Sequence, residues 1–298
     1  MLAVLSRRGW MLFGAMAVIW GMPYLLIKES VASLAPAAVV SGRTAMASLL
    51  LLPVAVKRGA LRPALAHWRP VLAFTIIEMG GPFILLSHAE QTLPSGLTGL
   101  LVATVPLFGA VTAFALGDRL ALGRLRVLGL ALGLVGVAMI VGGTRSTGSV
   151  TAVAVAEVLL VAVCYSIAPF IAFRHLDDVP GIGIAALALG IVGVFYLPIA
   201  IATQDRAPTG RSVAALAALS VVCTALAFVV FFALIKEVGP ARATVFTYIN
   251  PVVALSLGVV VRGESLTAGL LIGFPVVLAG CWLAASHRDD GPVVVAEP

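Results

Sequence analysis

Charge is what this sequence has least of. Only 11% of its 298 residues are Asp, Glu, Lys or Arg, against 61% hydrophobic residues, where a water-soluble domain carries about 25% charged and about 45–50% apolar. No fold in water hides that much apolar surface, so the chain's solvent is lipid. Cysteine is also scarce. Cys164, Cys223 and Cys281 all sit inside apolar runs, and an odd number with none in a loop excludes a disulfide framework. Histidine is limited to His67, His88, His175 and His287, and no HExxH, no GxSxG and no paired carboxylate motif occurs, so the usual sequence marks of a catalytic centre are missing. No loop is long enough to form a soluble partner domain. The net charge of +6 does not point to nucleic acid, because the basic residues stand singly between apolar runs, as membrane topology signals do.

What the chain has in quantity is apolar runs of the roughly 20 residues that a membrane helix needs. Ten fit: 10–28, 36–56, 70–88, 95–116, 124–143, 152–173, 182–203, 213–235, 240–261 and 267–286. The alternating polarity of a barrel strand is absent, so all-helical spanning is expected. The first run follows Arg7 and Arg8 without a small-residue cleavage site and reads as a retained span. Thirteen basic residues fall in loops on one side, among them Arg7, Arg8, Lys57, Arg58 and Lys236. Five fall on the other: Lys28, Arg145, Arg206, Arg211 and Arg262. The richer side is cytoplasmic, which predicts both termini inside.

The pattern repeats. Pro106 and Pro251 are 145 positions apart, as are Trp20-Gly21 and Tyr165-Ser166. Gly117-Asp118-Arg119 and Gly263-Glu264-Ser265 each follow the span that carries the matched proline. Two units follow, 8–143 and 152–287, with a disordered cytoplasmic tail at 288–298. Five spans per unit is odd, so the second copy enters the membrane from the opposite side. Such inverted repeats characterise secondary transporters, whose substrate site lies near the midplane between the copies.

Polar residues within the spans are the site candidates, because each is costly in lipid. Arg43 can hold a carboxylate through two parallel hydrogen bonds, or serve as a structural partner of Glu157 at similar depth. Glu78, in a breakable stretch with Gly80, Gly81 and Pro82, can exchange a proton during transport or sit as a bonded core carboxyl. His88, Glu90 and Gln91 read as ordinary interface residues. Trp20 and Tyr24, four apart on one helix face, with Tyr165, Tyr248 and Asn250, describe the aromatic and polar wall of a small-molecule pocket. Each could equally be bundle packing. Pro106 and Pro251 are the expected hinges, freeing carbonyls four residues earlier. Gly129, Gly133 and Gly136 suit close helix packing. The repeat partners of Arg43 and Glu78 are Ala188 and Cys223, so one copy supplies most of the ionic chemistry.

Across residues 8–286 the chain resembles the EamA branch of the drug/metabolite transporter superfamily. The resemblance is carried by Trp20-Gly21, Arg43, the small-residue entries with prolines at 106 and 251, and the Gly263-Glu264-Ser-Leu-Thr turn before a glycine-rich last span. It implies ten helices moving small metabolites, often amino acids and usually outward, through a cavity whose spans hold Trp20, Tyr24, Glu78, Tyr165, Tyr248 and Asn250. The resulting expectation is an inner-membrane exporter with a small-molecule substrate, a proton as candidate coupling ion, no cofactor and no metal. The alternative is a permease for drugs or other metabolites. Oligomeric state stays open, a monomer being sufficient.

Overall fold

A computed structural model describes residues 6–117, 123–144, 151–238 and 244–285. The tail at 288–298, the turn residues Asp118 and Arg119, and Arg145 and Arg242 lie outside the described residues. All regular structure among the described residues is helical. The order is α1 (Arg7–Ile19), α2 (Pro23–Ser30), α3 (Pro36–Lys57), α4 (Leu61–Ala66), α5 (Trp68–Phe74), a π-helical turn (Thr75–Gly80), α6 (Gly81–Ala89), α7 (Ser95–Val102), α8 (Val105–Ala115) and α9 (Arg124–Thr144). Then come α10 (Ala152–His175), α11 (Gly181–Thr203), α12 (Gly210–Ser220), a second π-helical turn (Val221–Leu226), α13 (Ala227–Val238), a 3₁₀ turn (Thr244–Tyr248), α14 (Asn250–Arg262) and α15 (Ala268–Ala285).

Among the described residues, seven helical stretches are long and apolar enough to cross a membrane: Arg7–Ser30, Pro36–Lys57, Trp68–Ala89, Ser95–Ala115, Ala152–His175, Gly181–Thr203 and Gly210–Val238. Phe246–Arg262 and Ala268–Ala284 are shorter apolar helices. The outside of the bundle carries many large apolar side chains, with Leu49 70% and Val260 82% exposed. That surface suits hydrocarbon and would be untenable in water.

Local chemistry sets the helix ends. Ser6, Thr151 and Thr209 accept from the backbone N–H groups of Gly9, Ala154 and Ser212 and so cap α1, α10 and α12. Gly263, at φ +65°, ends α14 in the left-handed conformation that glycine takes without strain.

Two helix pairs form the most intimate contacts, α3 with α11 and α9 with α15. In the second, backbone meets backbone. A Cβ added to Gly280 would stand 2.5 Å from the Gly133 nitrogen, and one added to Gly136 would stand 3.0 Å from the Gly273 carbonyl oxygen. Small residues give this approach in the absence of a hydrophobic drive between helices in lipid. In the first pair, Ser41 and Ser48 donate to the carbonyls of Gly193 and Ala186 at 2.9 and 2.8 Å. Between the halves, Ile27, Leu97, Leu100, Leu101, Val158 and Leu219 form the largest buried cluster.

The helices are interrupted where the bundle is thickest. At Pro106 and Pro251, the expected hinges, the helices are broken outright. Each proline is the second residue of a new helix, α8 or α14, where its missing N–H has no helical acceptor to lose. Trp20 and Tyr24 do not share one continuous helix, because the chain breaks between Ile19 and Pro23. Pro82 likewise begins α6, and the wide π turn before it absorbs the mismatch expected at Glu78.

Candidate functional site

The breaks converge on one cavity of about 280 Å³ in the middle of the bundle. Trp20, Tyr24, Arg43, Glu78, Tyr165, Tyr248, Asn250, Pro106 and Pro251 all line it. The two π turns face it from opposite halves, one carrying Glu78 and the other Cys223, 145 positions on. Such turns place a side chain where a regular helix would not, and they are frequent at functional sites.

Each irregular turn is held by a side chain from another element. Tyr196 on α11 donates its hydroxyl to the Gly80 carbonyl at 2.9 Å, steadying the turn that carries Glu78. The Cys281 thiol on α15 donates to Ala103 O at 3.1 Å, at the break before Pro106. The Asn250 amide, turned so that its nitrogen donates, reaches Phe246 O at 3.2 Å and Ala17 O at 3.1 Å and pins the break before Pro251. These bonds satisfy the carbonyls that broken helices leave free.

Arg43 does not pair with Glu157. Glu157, near the start of α10, faces the end of α6 and meets His88, with Nδ1 2.8 Å from Oε1. Arg43 projects from α3 toward the second π turn. Its Nε donates to Thr224 Oγ1 at 2.9 Å, and its guanidinium carbon stands 4.0 Å from the Phe83 ring centroid. Thr224 in turn donates to Leu219 O, so its oxygen is free to accept from the arginine. Among the described residues no acidic side chain forms an ion pair with Arg43. A cation–π contact and one hydrogen bond leave the guanidinium's remaining donors for whatever enters the cavity.

Sequence reasoning missed several wall residues. Phe83, Phe228, Thr224 and Cys223 also line the cavity. Cys223 carried no signal beyond being the repeat image of Glu78, and Thr224 none beyond standing next to it. Aromatic rings fill the space between the cavity and the end of the bundle marked by Ser6 and Glu237. Trp20 stands 5.0 Å from Phe231 and 5.4 Å from Phe246, ring centroid to centroid.

The expectation that His88, Glu90 and Gln91 are ordinary interface residues fails at Glu90, while His88 and Gln91 are exposed. His88 is bonded to Glu157. Glu90 is fully buried, and neither of its carboxylate oxygens has a hydrogen-bond partner. The turn that holds it folds inward beneath Lys28, whose ammonium donates to Glu90 O at 2.7 Å.

Comparison with known proteins adds the family. The sequence pattern of the EamA-like transporter family matches residues 7–142 and again 152–286. The uncharacterized inner membrane transporter YedA of Escherichia coli strain K12 is 29% identical, covering 95% of both chains. A protein of Streptantibioticus cattleyicolor named a "probable terminal-alkyne amino-acid exporter" is 27% identical over 94% of this chain and 93% of its own. A protein of known crystal structure superposes with a TM-score of 0.66 at 22% identity, covering 93% of this chain and 96% of the other; that likeness is one of fold. With the family pattern matched along both halves, this chain belongs to the EamA-like transporter family.

Proposed function

We propose that the chain is a multi-pass inner-membrane secondary transporter that exports amino acids or closely related carboxylates by alternating access. The observation that carries this reading is Arg43, a buried cation on the wall of a cavity lined by both halves, in no ion pair with an acidic side chain among the described residues. Such a charge is expensive to keep in a membrane, and a substrate carboxylate bound through its fork would compensate it. Trp20, Tyr24, Tyr165 and Tyr248 then enclose the rest of the molecule. Asn250 adds an amide to that wall, Pro106 and Pro251 form the hinges, and Glu78 supplies an exchangeable proton from the π turn.

Several features support ten spans arranged as two inverted five-helix repeats with both termini cytoplasmic. The family pattern matches twice. The two π turns and the two proline-started helices recur at matched positions. Each close pair, α3 with α11 and α9 with α15, joins a helix to its counterpart in the other half, as a twofold relation in the membrane plane requires. The inner-membrane location and the amino-acid cargo agree with the names of two relatives. Transporter relatives also argue against an enzyme.

Counterflow of radiolabelled amino acids in proteoliposomes tests the proposal. An amino acid should exchange through the parent chain and fail through Arg43→Ala, and its decarboxylated analogue should not exchange. The second reading, a permease for drugs or other apolar metabolites, is favoured by the ring-rich wall of Trp20, Phe83 and Phe228. Movement of lipophilic compounds that is indifferent to Arg43→Ala would select it.

A further inference from the structure

The end of the bundle opposite Ser6 and Glu237 is drawn shut by polar contacts between the halves. Glu29 on α2 forms ion pairs with both Arg211 and Arg262. Glu264, in the turn after α14, accepts from Ser95 N and Oγ at 2.8 Å each and from Gly96 N at 3.0 Å, capping α7 across the interface. Gln204 accepts from Ala35 N at 2.8 Å and donates to Ser33 O at 3.0 Å. Every one of these contacts joins the first half to the second.

Within this seal sits Glu90. Its side chain is wholly enclosed, yet neither carboxylate oxygen completes a hydrogen bond, the backbone N–H of Lys28 being only a weak neighbour. The groups that face it are Lys28 and Tyr24 from α2, Arg43 from α3 and Glu264 from the turn after α14. From α10, Glu157 is already engaged by His88. The one nearby ammonium, Lys28, is turned to the carbonyls of Glu90 and Gln91 at 2.7 and 3.3 Å rather than to the carboxylate. A buried carboxylate left without partners is among the costliest arrangements a protein can hold, so the closed seal is compatible with the neutral acid and not with the anion. Burial first, and then the neighbouring Glu264, hold the Glu90 carboxyl well above the usual carboxylate range, against the opposing pull of Lys28 and Arg43.

We infer that Glu90 is a proton-binding site that sets whether this end of the cavity is open, a deepening that rests on the transporter reading above. With the proton bound, the seal closes over a neutral side chain. When the proton leaves to solvent, the anion gains by opening, because water enters and the Lys28 ammonium can swing from carbonyl to carboxylate. Lys28 and Glu29 are adjacent on α2, so movement of one disturbs the other's pairing with Arg211 and Arg262. Opening of the cavity mouth and loss of one proton are then a single event. A proton supplied from that side closes the mouth again.

The test reads access rather than transport. Cys223 lines the cavity and becomes the sole thiol in a Cys164→Ser, Cys281→Ser background. Its reaction with a membrane-impermeant maleimide is followed in right-side-out and inside-out vesicles, normalised at each pH to the denatured chain to remove the thiol's own titration. In the orientation that presents the Lys28 end, the normalised rate should rise at least about tenfold between about pH 6 and about pH 9, as one titrating proton allows. Glu90→Gln should stay at the low rate throughout. A parent rate that is flat in both orientations, or the same rise in Glu90→Gln, overturns the inference. Should Glu90→Gln not fold, Glu90→Asp keeps the carboxyl, and its midpoint must move; an unmoved midpoint overturns the inference equally. A chain that labels as expected but moves no solute keeps this site and sinks the transporter reading, while transport with pH-independent labelling does the reverse.

Discussion

Arg43 owes its position to two contacts of different kinds, a hydrogen bond to Thr224 and the face of Phe83. Both depend on a planar guanidinium, so Arg43→Lys is not a conservative change here. A lysine keeps the charge but loses the Nε bond and the ring contact. A hydrogen bond to a charged group is worth about 1.5–3 kcal/mol, and the expected outcome is an apparent substrate affinity lower by roughly ten- to a hundredfold. Counterflow measured against substrate concentration, beside the folded yield from size-exclusion chromatography, checks it. Glu78→Gln should abolish the pH dependence of apparent substrate affinity while leaving the pH dependence of Cys223 labelling in place, since Glu78 lines the cavity and Glu90 lies in the seal. At this scale the sequence revealed depth along a helix but not direction around it. Nine residues singled out for polarity or repeat position do line one cavity, because depth put them in the same layer. Arg43 and Glu157 also match in depth, yet they point to different neighbours, and no spacing rule reports that. Glu90 was misread because a turn between two spans gives no sign of folding inward.

At the scale of elements, the prolines marked two of the breaks but not the π turns. Val221–Leu226 reads VVCTAL, with neither glycine nor proline to mark it, and its Thr224 hydroxyl bonds back to Leu219 O five residues earlier. Where Pro106 and Pro251 begin new helices, alanine removes the fixed backbone angle and restores an N–H. Pro106→Ala and Pro251→Ala should each slow transport several-fold at near-normal folded yield, measured as counterflow rate per folded molecule. Glycine positions sort by what surrounds them. Gly280→Leu drives a side chain into the Gly133 and Gly129 backbone, whereas a Cβ at Gly14 meets nothing within 4 Å. Overpacking costs about 1–3 kcal/mol, so thermal unfolding of the purified protein should show a clear loss for Gly280→Leu and almost none for Gly14→Leu.

At the scale of the molecule, the seal at the Lys28 end depends on two acids, Glu29 and Glu264, and on Gln204 reaching across the halves. Glu264→Ala removes three hydrogen bonds to the start of α7. With about 1–3 kcal/mol lost when buried donors go unpaired, the unfolding temperature should fall and access to Cys223 should rise. Glu90 gives a pH signature with a definite sign. Its carboxyl is held above the ordinary range in the folded chain, so its stabilising contribution is complete below about pH 4.3, the unfolded glutamate value, and is lost as pH rises through the folded value. Relative to Glu90→Gln, the parent should therefore lose unfolding temperature toward alkaline pH. A constant difference between the two across the range would contradict this. The apolar spans and the matched halves were legible here because they are written in composition and repetition. The seal was not, since it is assembled from single residues far apart in the chain.

The backbone contact between α9 and α15 carries one further consequence. Those two helices have no room to slip past each other, and neither contributes a residue to the cavity wall among those described. If the chain works by the alternating access proposed above, this pair should act as an axle about which other spans swing. A solute held in that cavity would not touch the axle, so a change of cargo should ask nothing of it. Relatives with different substrates should vary freely around Trp20 and Phe228 while keeping small residues at positions 129, 133, 136, 273 and 280.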